Sequence, residues 1–587
     1  MTRLPLRPLA RILRAREKGE NPDAIEAENR AIRSEPARER AWLRAEARLA
    51  ILLVAFVAAF VTVGVRMAAL ASSSAQEPRA AASGTRIITQ RADITDRRGR
   101  VLATNLATHS LYVQPLLMID PPRVARELAR LFPDLDADKL TRQFTDGRKF
   151  MWIKKTISPE EMQAVHDIGD PGLLFGPREM RIYPNGALAS HILGGARFEN
   201  EDVSAAEVVG VAGVEKSFDG FLRDPAHNGA PLQLSIDLTV QHALEDVLSG
   251  GIKVMQAKGA TGILMAVETG EIMAMASLPD FDPNDRPSPL LKGDPSDSPL
   301  FNRAVQGLYE LGSTFKIFPV AQALDLKLVN PRTMVSTAGP LKIGRFQIRD
   351  FHNYGPSLSV TDVIVKSSNI GTVSVARMIG AERQRAFLAR LGLMEPTPVE
   401  MIEAPTARPL VPRKWPDVVS ATVAFGHGMS ASPLHLAAAY ATLANRGRKV
   451  TPTLLHSDSH PQGEQVVSAP VAVQAVELLR QVVLRGTARS AEVEGYEVAG
   501  KTGTADKPRP SGGYYDDKVI ATFASIFPAS DPKYVLVVSL DEPTGTLGGG
   551  ESRVAGATAV PVAAEVIRRT APLLGLRPVV EAKTASR

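Results

Sequence analysis

The sequence predicts a multidomain protein of mixed α+β (or α/β) class with a single transmembrane helix near its N-terminus. The chain has 587 residues, which is enough for two to four domains with a sizeable core in each. One long apolar run lies near the N-terminus, and short strand-like runs alternate with helical patches after it. The hydrophobic content of 44% and the charged content of 22% are ordinary for globular domains, so most of the chain is expected to fold.

Charge and cysteine content exclude several functional classes. Residues 1–48 hold 12 Lys/Arg and 8 Asp/Glu, so they carry +4 of the total charge of +6 and leave only +2 for the rest. A nucleic-acid site needs a concentrated basic patch, so no nucleic-acid partner is predicted. The chain has no cysteine, which excludes disulfides, thiolate metal sites and a cysteine nucleophile.

The apolar run predicts a membrane anchor at residues 49–71. Its first 17 residues carry no charge, and Arg66 can extend to the membrane surface while the run continues. A buried helix or a cleaved signal peptide are the alternatives, but the run is long for the first and begins too far from the N-terminus for the second. Arginines concentrate before the run, which predicts a cytoplasmic arm at 1–48 and a periplasmic location after the anchor. We therefore expect a single-pass protein of the inner (cytoplasmic) membrane.

Two folded domains are predicted beyond a small, polar linker at 72–84. Residues 85–225 contain the strand-like runs "HSLYVQP", "FMWIKK" and "GLLFGPREMRIYP" between helical patches, which indicates an α+β module. Residues 226–570 contain a hairpin pattern in "ATGILMAVETGEIMAMAS", a helix over "PLHLAAAYATLAN" and the strands "KVIATFASIFP" and "KYVLVVSLDEP". Residues 571–587 are predicted to be a tail.

The stretch "GYEVAGKTGT" matches two incompatible motifs. Gly495 to Thr502 has the spacing of a nucleotide-binding P-loop, and Lys501-Thr502-Gly503 fits the Lys-Thr-Gly strand of serine enzymes that penicillin acylates. A P-loop requires a hydrophobic strand before its first glycine and a helix after its Lys-Thr pair. The preceding "RGTARSAEVE" is polar, and the following "GTADKPRPSGGYY" holds two prolines and three glycines. The alternating "YEVAGKTGTA" is therefore predicted to be a strand.

A penicillin-acylated serine enzyme needs two further elements. The first is a serine nucleophile with a lysine one helical turn away, and "YELGSTFKIF" supplies Ser313 and Lys316 at i and i+3. The second is a Ser-x-Asn element, which "VKSSNIG" supplies as Ser367 and Asn369. Ser313 alone could be a helix-cap serine. The three elements in order, 54 and then 134 residues apart when counted to Lys501, are specific as a set.

With these elements and four longer segments, the chain resembles the class B penicillin-binding proteins, and among them the division-specific peptidoglycan D,D-transpeptidases. The segments are "RADITDRRGRVLATN" (91–105), "RIYPNGALASHILG" (181–194), "GVAGVEKSFDGFL" (210–222) and "FGHGMSASPLHLAAAYATLANRG" (425–447). The resemblance implies that the first three segments belong to an elongated, non-catalytic α+β pedestal domain. The charged residues of these segments would form salt bridges and turns. The resemblance implies a transpeptidase domain for the rest, an antiparallel sheet covered by helices as in serine β-lactamases, with the last segment beside the active site. The chain departs from the family at "TLGGGESRVAGATAVP".

The resemblance also implies a role for each motif residue in acyl transfer. Ser313 would attack the penultimate carbonyl of a stem peptide ending in D-Ala-D-Ala, with Lys316 as the base that takes its proton. Ser367 would pass a proton to the leaving D-Ala, and Asn369 would hold Lys316 and the substrate amide.

The strand residues complete the implied site. Lys501, Thr502 and Thr504 would bind the terminal carboxylate, and Gly503 would leave room for the substrate to approach. The backbone N–H groups of Ser313 and Thr504 would form the oxyanion hole. No cofactor is implied.

The implied partners are peptidoglycan stem peptides, β-lactam antibiotics, a polytopic lipid-II polymerase and other divisome membrane proteins. The implied role is septal cell-wall synthesis in cell division. Three alternatives share the motifs: an elongation-specific class B enzyme, a β-lactamase, and a non-enzymatic penicillin sensor or divisome scaffold. A bifunctional class A enzyme is disfavoured because about 140 residues leave little room for a glycosyltransferase. His427 and His435 lack a third ligand at plausible spacing, so no metal site is predicted.

Overall fold

The structure, a computed structural model, describes residues 7–21, 23–28, 52–67, 91–198, 208–344, 346–509, 512–545 and 551–579. The chain divides into two units, Met1–Ile87 and Ile88–Arg587. In the first unit, helix α1 spans Arg7–Glu17, and residues 52–67 are also helical.

The predicted anchor is described only in part. Residues 52–67 are exposed along the helix that they form, while the remaining positions of 49–71 lie outside the described residues. Within the residues that are described, no helix is both long enough and apolar enough to cross a membrane.

The N-terminal part of the larger unit is built on a five-stranded sheet. Its strands lie in the order β3 (Met151–Ile157), β2 (Val101–Val113), β1 (Ile94–Thr95) and β7 (Leu232–Gln233), and β4 (Leu173–Ile182) pairs with β2. The three strand-like runs predicted here lie in β2, β3 and β4, which confirms them. This part also contains the strands β5 (Gly195–Phe198) and β6 (Val208–Ala212). The helices are α2 (Pro121–Leu131), α3 (Ala137–Thr145), α4 (Pro159–His166), α5 (Ser190–Leu193), α6 (Gly213–Ser217) and α7 (Asp219–Arg223).

A buried ion network connects the elements of this part. Glu215 is fully buried and accepts from Arg91 Nε at 2.7 Å and from Arg181 Nε at 2.6 Å. Arg91 also reaches Asp219 at 2.7 Å. Buried charges persist only when they are paired, so removing one partner of such a pair costs about 3–5 kcal/mol. The network confirms that Arg181 and Glu215 form salt bridges.

The C-terminal part contains a second five-stranded sheet in which every pairing is antiparallel. Its strands lie in the order β14 (Ala499–Pro508), β15 (Tyr514–Phe527), β16 (Tyr534–Asp541), β8 (Gly259–Ala266) and β9 (Ile272–Leu278). Nearly every residue of β8, β9 and β16 is buried, which requires helices on both faces. This part also contains the strands β10 (Met334–Ser336), β11 (Leu341–Ile343), β12 (Phe346–Ile348) and β13 (Ser357–Ser359). The helices are α8 (Leu238–Val254), α9 (Ile317–Asp325), α10 (Val360–Val365), α11 (Asn369–Ile379), α12 (Ala381–Arg390), α13 (Asp417–Ala424), α14 (Pro433–Ala444), α15 (Ala469–Arg485) and α16 (Ala559–Leu573).

Local sequence signals mark the ends of a helix and the turn of a hairpin in this part of the chain. Ser432 caps α14 with Pro433 as its first residue, and Gly447 follows with a φ of +76°. The predicted hairpin is β8 and β9, with Gly270 in its turn at a φ of +76°. Lys501 and Thr502 lie inside β14, so the strand interpretation is confirmed and the P-loop interpretation is excluded.

Candidate active site

Ser313 and Lys316 lie on a short 3₁₀ helix, Gly312–Lys316, that continues into α9. A 3₁₀ helix has three residues per turn, so side chains at i and i+3 stand directly above one another. Gly312 begins the helix at a φ of +55°, a conformation that glycine adopts without strain. Lys316 is only 1% exposed, whereas Ser313 is half-buried and therefore open to a ligand.

The amine of Lys316 reaches the turn that carries Ser367. Lys316 Nζ donates to the carbonyl oxygen of Ser367 at 2.5 Å and to its hydroxyl at 3.0 Å. Burial, reinforced by the neighbouring charge of Lys501, holds the pKa of Lys316 well below its usual range, and Asp350 acts in the opposite direction. The amine is therefore biased toward its neutral form, which a base requires.

Lys501 approaches the same hydroxyl from the strand β14. Its Nζ lies 3.0 Å from Ser367 Oγ and 3.2 Å from the carbonyl oxygen of Thr502. Burial lowers the pKa of Lys501 to about 7. Ser367 Oγ thus lies between two buried amines, one from the 3₁₀ helix and one from the sheet.

Two glycines allow the 3₁₀ helix to lie directly against its neighbours. A side chain at Gly503 would overlap the carbonyl oxygen of Leu311 and come within 2.8 Å of Thr314 Cγ2. The sequence interpretation gave Gly503 the role of clearing the substrate's path, but its missing side chain faces the helix of Ser313. Gly426 fits in the same way against the backbone of Gly312.

Asn369 does not make the contact with Lys316 that the sequence analysis assigned to it. Its side-chain amide donates to the carbonyl oxygen of Arg349 at 2.9 Å, and no bond to Lys316 forms in the part of the chain that is described. The carboxylate of the adjacent Asp350 accepts from the backbone N–H of Asn369 at 2.5 Å and from Ser368 Oγ at 2.6 Å. These bonds fix the first turn of α11 against the loop that follows β12.

Thr502 and Thr504 lie two residues apart on β14, so their side chains share one face of the strand, opposite Lys501. Thr502 Oγ1 lies 2.7 Å from Thr487 Oγ1. Thr504 Oγ1 accepts from the backbone N–H of Ala555 at 2.9 Å. The face thus presents hydroxyl groups, as a carboxylate-binding surface requires.

The turn that carries Ser313 lies close to the backbone of Thr504, the second residue predicted for the oxyanion hole. Ser313 occupies the first turn of its helix, where backbone N–H groups lack intrahelical acceptors. A methyl group added at Gly312 would lie 3.3 Å from the nitrogen of Thr504, which shows how closely β14 approaches this turn. Because β14 is at the edge of the sheet, it can face a ligand on its open side.

Within the described ranges, no three His, Cys, Asp or Glu side chains are arranged to hold a metal ion. His435 lies in α14 with Nε2 2.9 Å from the carbonyl oxygen of Glu395 and Nδ1 2.7 Å from Ser432 Oγ. Burial lowers its pKa to about 4. His427 packs against the ring of Phe425, with the ring centres 5.4 Å apart. His435 is therefore held by hydrogen bonds to the protein, and His427 packs against an aromatic ring.

Comparisons with known proteins agree with this geometry. The family described as penicillin binding protein transpeptidase domain matches residues 260–568, and the penicillin-binding protein dimerisation domain matches residues 86–226. The chain is 36% identical over 557 residues to a probable peptidoglycan D,D-transpeptidase FtsI of Caulobacter vibrioides, covering 92% of this chain and 91% of that protein. The chain belongs to the class B penicillin-binding proteins.

Two further relatives extend this finding. Peptidoglycan D,D-transpeptidase FtsI of Escherichia coli K12 is 29% identical over 498 residues, covering 79% of this penicillin-binding protein and 81% of its own length. The crystal structure of penicillin-binding protein 3 from Mycobacterium tuberculosis with aztreonam shares the fold, with a TM-score of 0.63 and 24% identity over 84% of this chain and 97% of that one.

The segment 425–447 of this penicillin-binding protein packs beside the site, as the resemblance implied. Gly312 N donates to the carbonyl oxygen of Gly426 at 3.1 Å, and Tyr440 Oη donates to the carbonyl oxygen of Thr314 at 2.8 Å. Sequence reasoning missed the contributions of Asp350 and Thr487, because neither residue belongs to a motif with a recognisable spacing. The site as a whole offers a half-buried serine one helical turn from an amine whose pKa is lowered, with the hydroxyl of Ser367 within hydrogen-bond distance of that amine.

Proposed function

We propose that this penicillin-binding protein is a serine-type D,D-transpeptidase that cross-links peptidoglycan stem peptides through a Ser313 acyl-enzyme. The observation that carries the proposal is the convergence of Lys316 and Lys501 on the hydroxyl of Ser367, each at 3.0 Å, beside the helical turn of Ser313. A serine next to a neutral amine is an activated nucleophile. β-Lactams would acylate the same serine.

Acylation begins when Ser313 Oγ attacks the penultimate carbonyl of a peptide ending in D-Ala-D-Ala and gives its proton to Lys316 Nζ. The backbone N–H groups of Ser313 and Thr504 stabilise the oxyanion. The bond to the terminal D-Ala then breaks, and the proton from Lys316 passes through Ser367 Oγ to the leaving amine. Lys501, Thr502 and Thr504 hold the terminal carboxylate.

Transfer repeats these steps in reverse with a new amine. An amino group of a neighbouring stem peptide attacks the acyl carbon, and its proton passes to Lys316 through Ser367. The bond to Ser313 Oγ then breaks as Lys316 returns a proton to that oxygen. The product is a new amide that joins two stem peptides. Asn369 borders the substrate amide, and its bond to Arg349 leaves the oxygen of its side chain free to accept a hydrogen bond.

The domain organisation and location belong to the same proposal. We assign a cytoplasmic arm to 1–48, an inner-membrane anchor to 49–71, a linker to 72–84 and a periplasmic pedestal to 85–225. The periplasmic transpeptidase domain begins at 226 and includes all of α16, which continues past the predicted boundary at 570 to Leu573, and the tail follows that helix. The family matches at 86–226 and 260–568 support the two domains. The uncharged run and the arginines before it support the anchor and its orientation.

The proposed cellular role is septal synthesis, with a lipid-II polymerase and other divisome membrane proteins as partners. The long N-terminal arm, the segment "YELGSTFK" and the likeness to proteins named FtsI support it over an elongation role. A tagged copy expressed in growing cells should concentrate at mid-cell. Uniform labelling of the side wall would favour the elongation role instead.

The enzymatic proposal is tested by labelling the purified protein with a fluorescent penicillin. We expect one adduct per chain, located on the peptide that contains Ser313 by mass spectrometry, and none in Ser313→Ala. Lys316→Ala should slow acylation by roughly 10²-fold or more, as expected for loss of a general base. An adduct on another serine would remove the assignment.

A further inference from the structure

Thr487 lies beside the proposed carboxylate site but belongs to none of the three motifs. It follows α15 by two residues, and its side chain is exposed. Its Oγ1 lies 2.7 Å from Oγ1 of Thr502, which is itself 93% buried because its exposed fraction is 7%. Thr487 therefore extends the hydroxyl face of β14 toward solvent.

The hydrogen-bond roles of these hydroxyls can be counted. A hydroxyl has one proton and two acceptor positions. In the Thr487–Thr502 pair one hydroxyl donates to the other, which leaves one of the two protons free. Thr504 Oγ1 accepts from the backbone N–H of Ala555, and its own proton has no acceptor among the residues that the structure describes. Two O–H donors therefore remain, which equals the number of oxygens in a carboxylate.

The backbone holds Thr487 in this position. A side chain at Gly556 would come within 2.8 Å of the carbonyl oxygen of Thr487, so the segment that bonds Thr504 through Ala555 also packs against Thr487. The three threonines are thus held by one connected arrangement of α15, β14 and the segment before α16.

We propose that Thr487 is a further binding residue for the terminal carboxylate of the substrate, acting with Thr502 and Thr504. This inference rests on the proposed function, since it names the anion that the hydroxyl face receives. When the Thr502 hydroxyl donates to Thr487 Oγ1, its direction is fixed. The proton of the Thr487 hydroxyl is then the second donor to the carboxylate, beside that of Thr504.

The test compares two thioesters of N-benzoyl-D-alanine, one with thioglycolate and one with the methyl ester of thioglycolate. They differ only in whether the leaving group carries a carboxylate. Thr487→Val removes the hydroxyl and keeps the shape. We expect the ratio of kcat/KM for the acid to kcat/KM for the ester to fall about tenfold, as for loss of one hydrogen bond to a charged group. Thr487→Ser should restore the ratio.

Ser490 provides the matched control, because its hydroxyl bonds to the carbonyl oxygen of Gly556 at 3.3 Å and lies off the strand. Ser490→Ala should leave the ratio at the wild-type value. An unchanged ratio in Thr487→Val, or an equal loss of both thioesters, would overturn the inference, since the second result indicates a structural role alone. If the wild-type protein consumes neither thioester and Ser313 takes no penicillin, the proposed function fails, and this assignment fails with it.

Discussion

An alanine at position 503 is expected to separate the strand β14 from the helix that carries Ser313. The added methyl carbon would lie 2.8 Å from Thr314 Cγ2 and 3.1 Å from the nitrogen of Thr314, and it would overlap the carbonyl oxygen of Leu311. Favourable contacts between carbon atoms lie at about 3.5–4.0 Å, so relief requires a shift of about 1 Å. A displacement of that size at a catalytic site costs about 10²-fold in rate. We therefore expect Gly503→Ala to lower the rate of penicillin acylation about 10²-fold and to destabilise the fold by about 1–3 kcal/mol.

The assay is time-resolved labelling with fluorescent penicillin, accompanied by thermal unfolding. Gly250→Ala is the control, because Gly250 is exposed on α8 with nothing within 4 Å of an added methyl group. It should acylate normally and gain about 1 kcal/mol of helix stability. Adding Thr314→Ser to Gly503→Ala removes Cγ2 and keeps the bond of Oγ to Leu311, so part of the rate should return. Wild-type acylation by Gly503→Ala would refute packing against the helix as the reason for this glycine.

Two further predictions concern the buried lysines. The acylation rate should rise with pH as Lys316 loses its proton. Lys501→Met removes a nearby positive charge and should move this rise in rate to higher pH. Asp350→Asn removes a nearby negative charge and should move it to lower pH. Shifts in the same direction for both variants would contradict the assignment of Lys316 as the base. The pKa of Lys501 is about 7 in the folded protein and about 10.4 when unfolded, so the folded state binds fewer protons between these values and the free energy of unfolding rises with pH there. Lys501→Met should lack this rise, so near pH 7 it should unfold at a higher temperature than the wild-type protein. Calorimetry should show the difference between the two unfolding temperatures becoming smaller as pH increases.

The helices and strands that are determined by residues close together in the sequence could be predicted from it. Alternation of side chains predicted β14, and a capping serine, a first-turn proline and a following glycine predicted α14. The i, i+3 spacing of Ser313 and Lys316 is likewise local, although the structure forms a 3₁₀ turn there.

Contacts between distant residues could not be predicted in the same way. Ser367 and Lys501 were expected near Lys316 only because the order of three motifs resembles a known family. Asp350 and Thr487 have no such motif: their partners lie on other elements, and a single aspartate or threonine has many ordinary surface roles. The bond of Asn369 to Arg349, in place of Lys316, depends on a loop whose path the sequence does not reveal.

The central claim is that the acyl group on Ser313 passes to an amine and not to water. It is tested most directly by giving the purified protein a D-alanyl thioester as donor and a D-amino acid as acceptor, and by measuring both products and the intact-protein mass. We predict that a new amide forms in proportion to the amine, that the adduct on Ser313 persists when the amine is left out, and that Ser313→Ala forms neither. Rapid release of free acid at a rate independent of the amine, with no lasting adduct, would contradict the claim and indicate a hydrolase of the β-lactamase type.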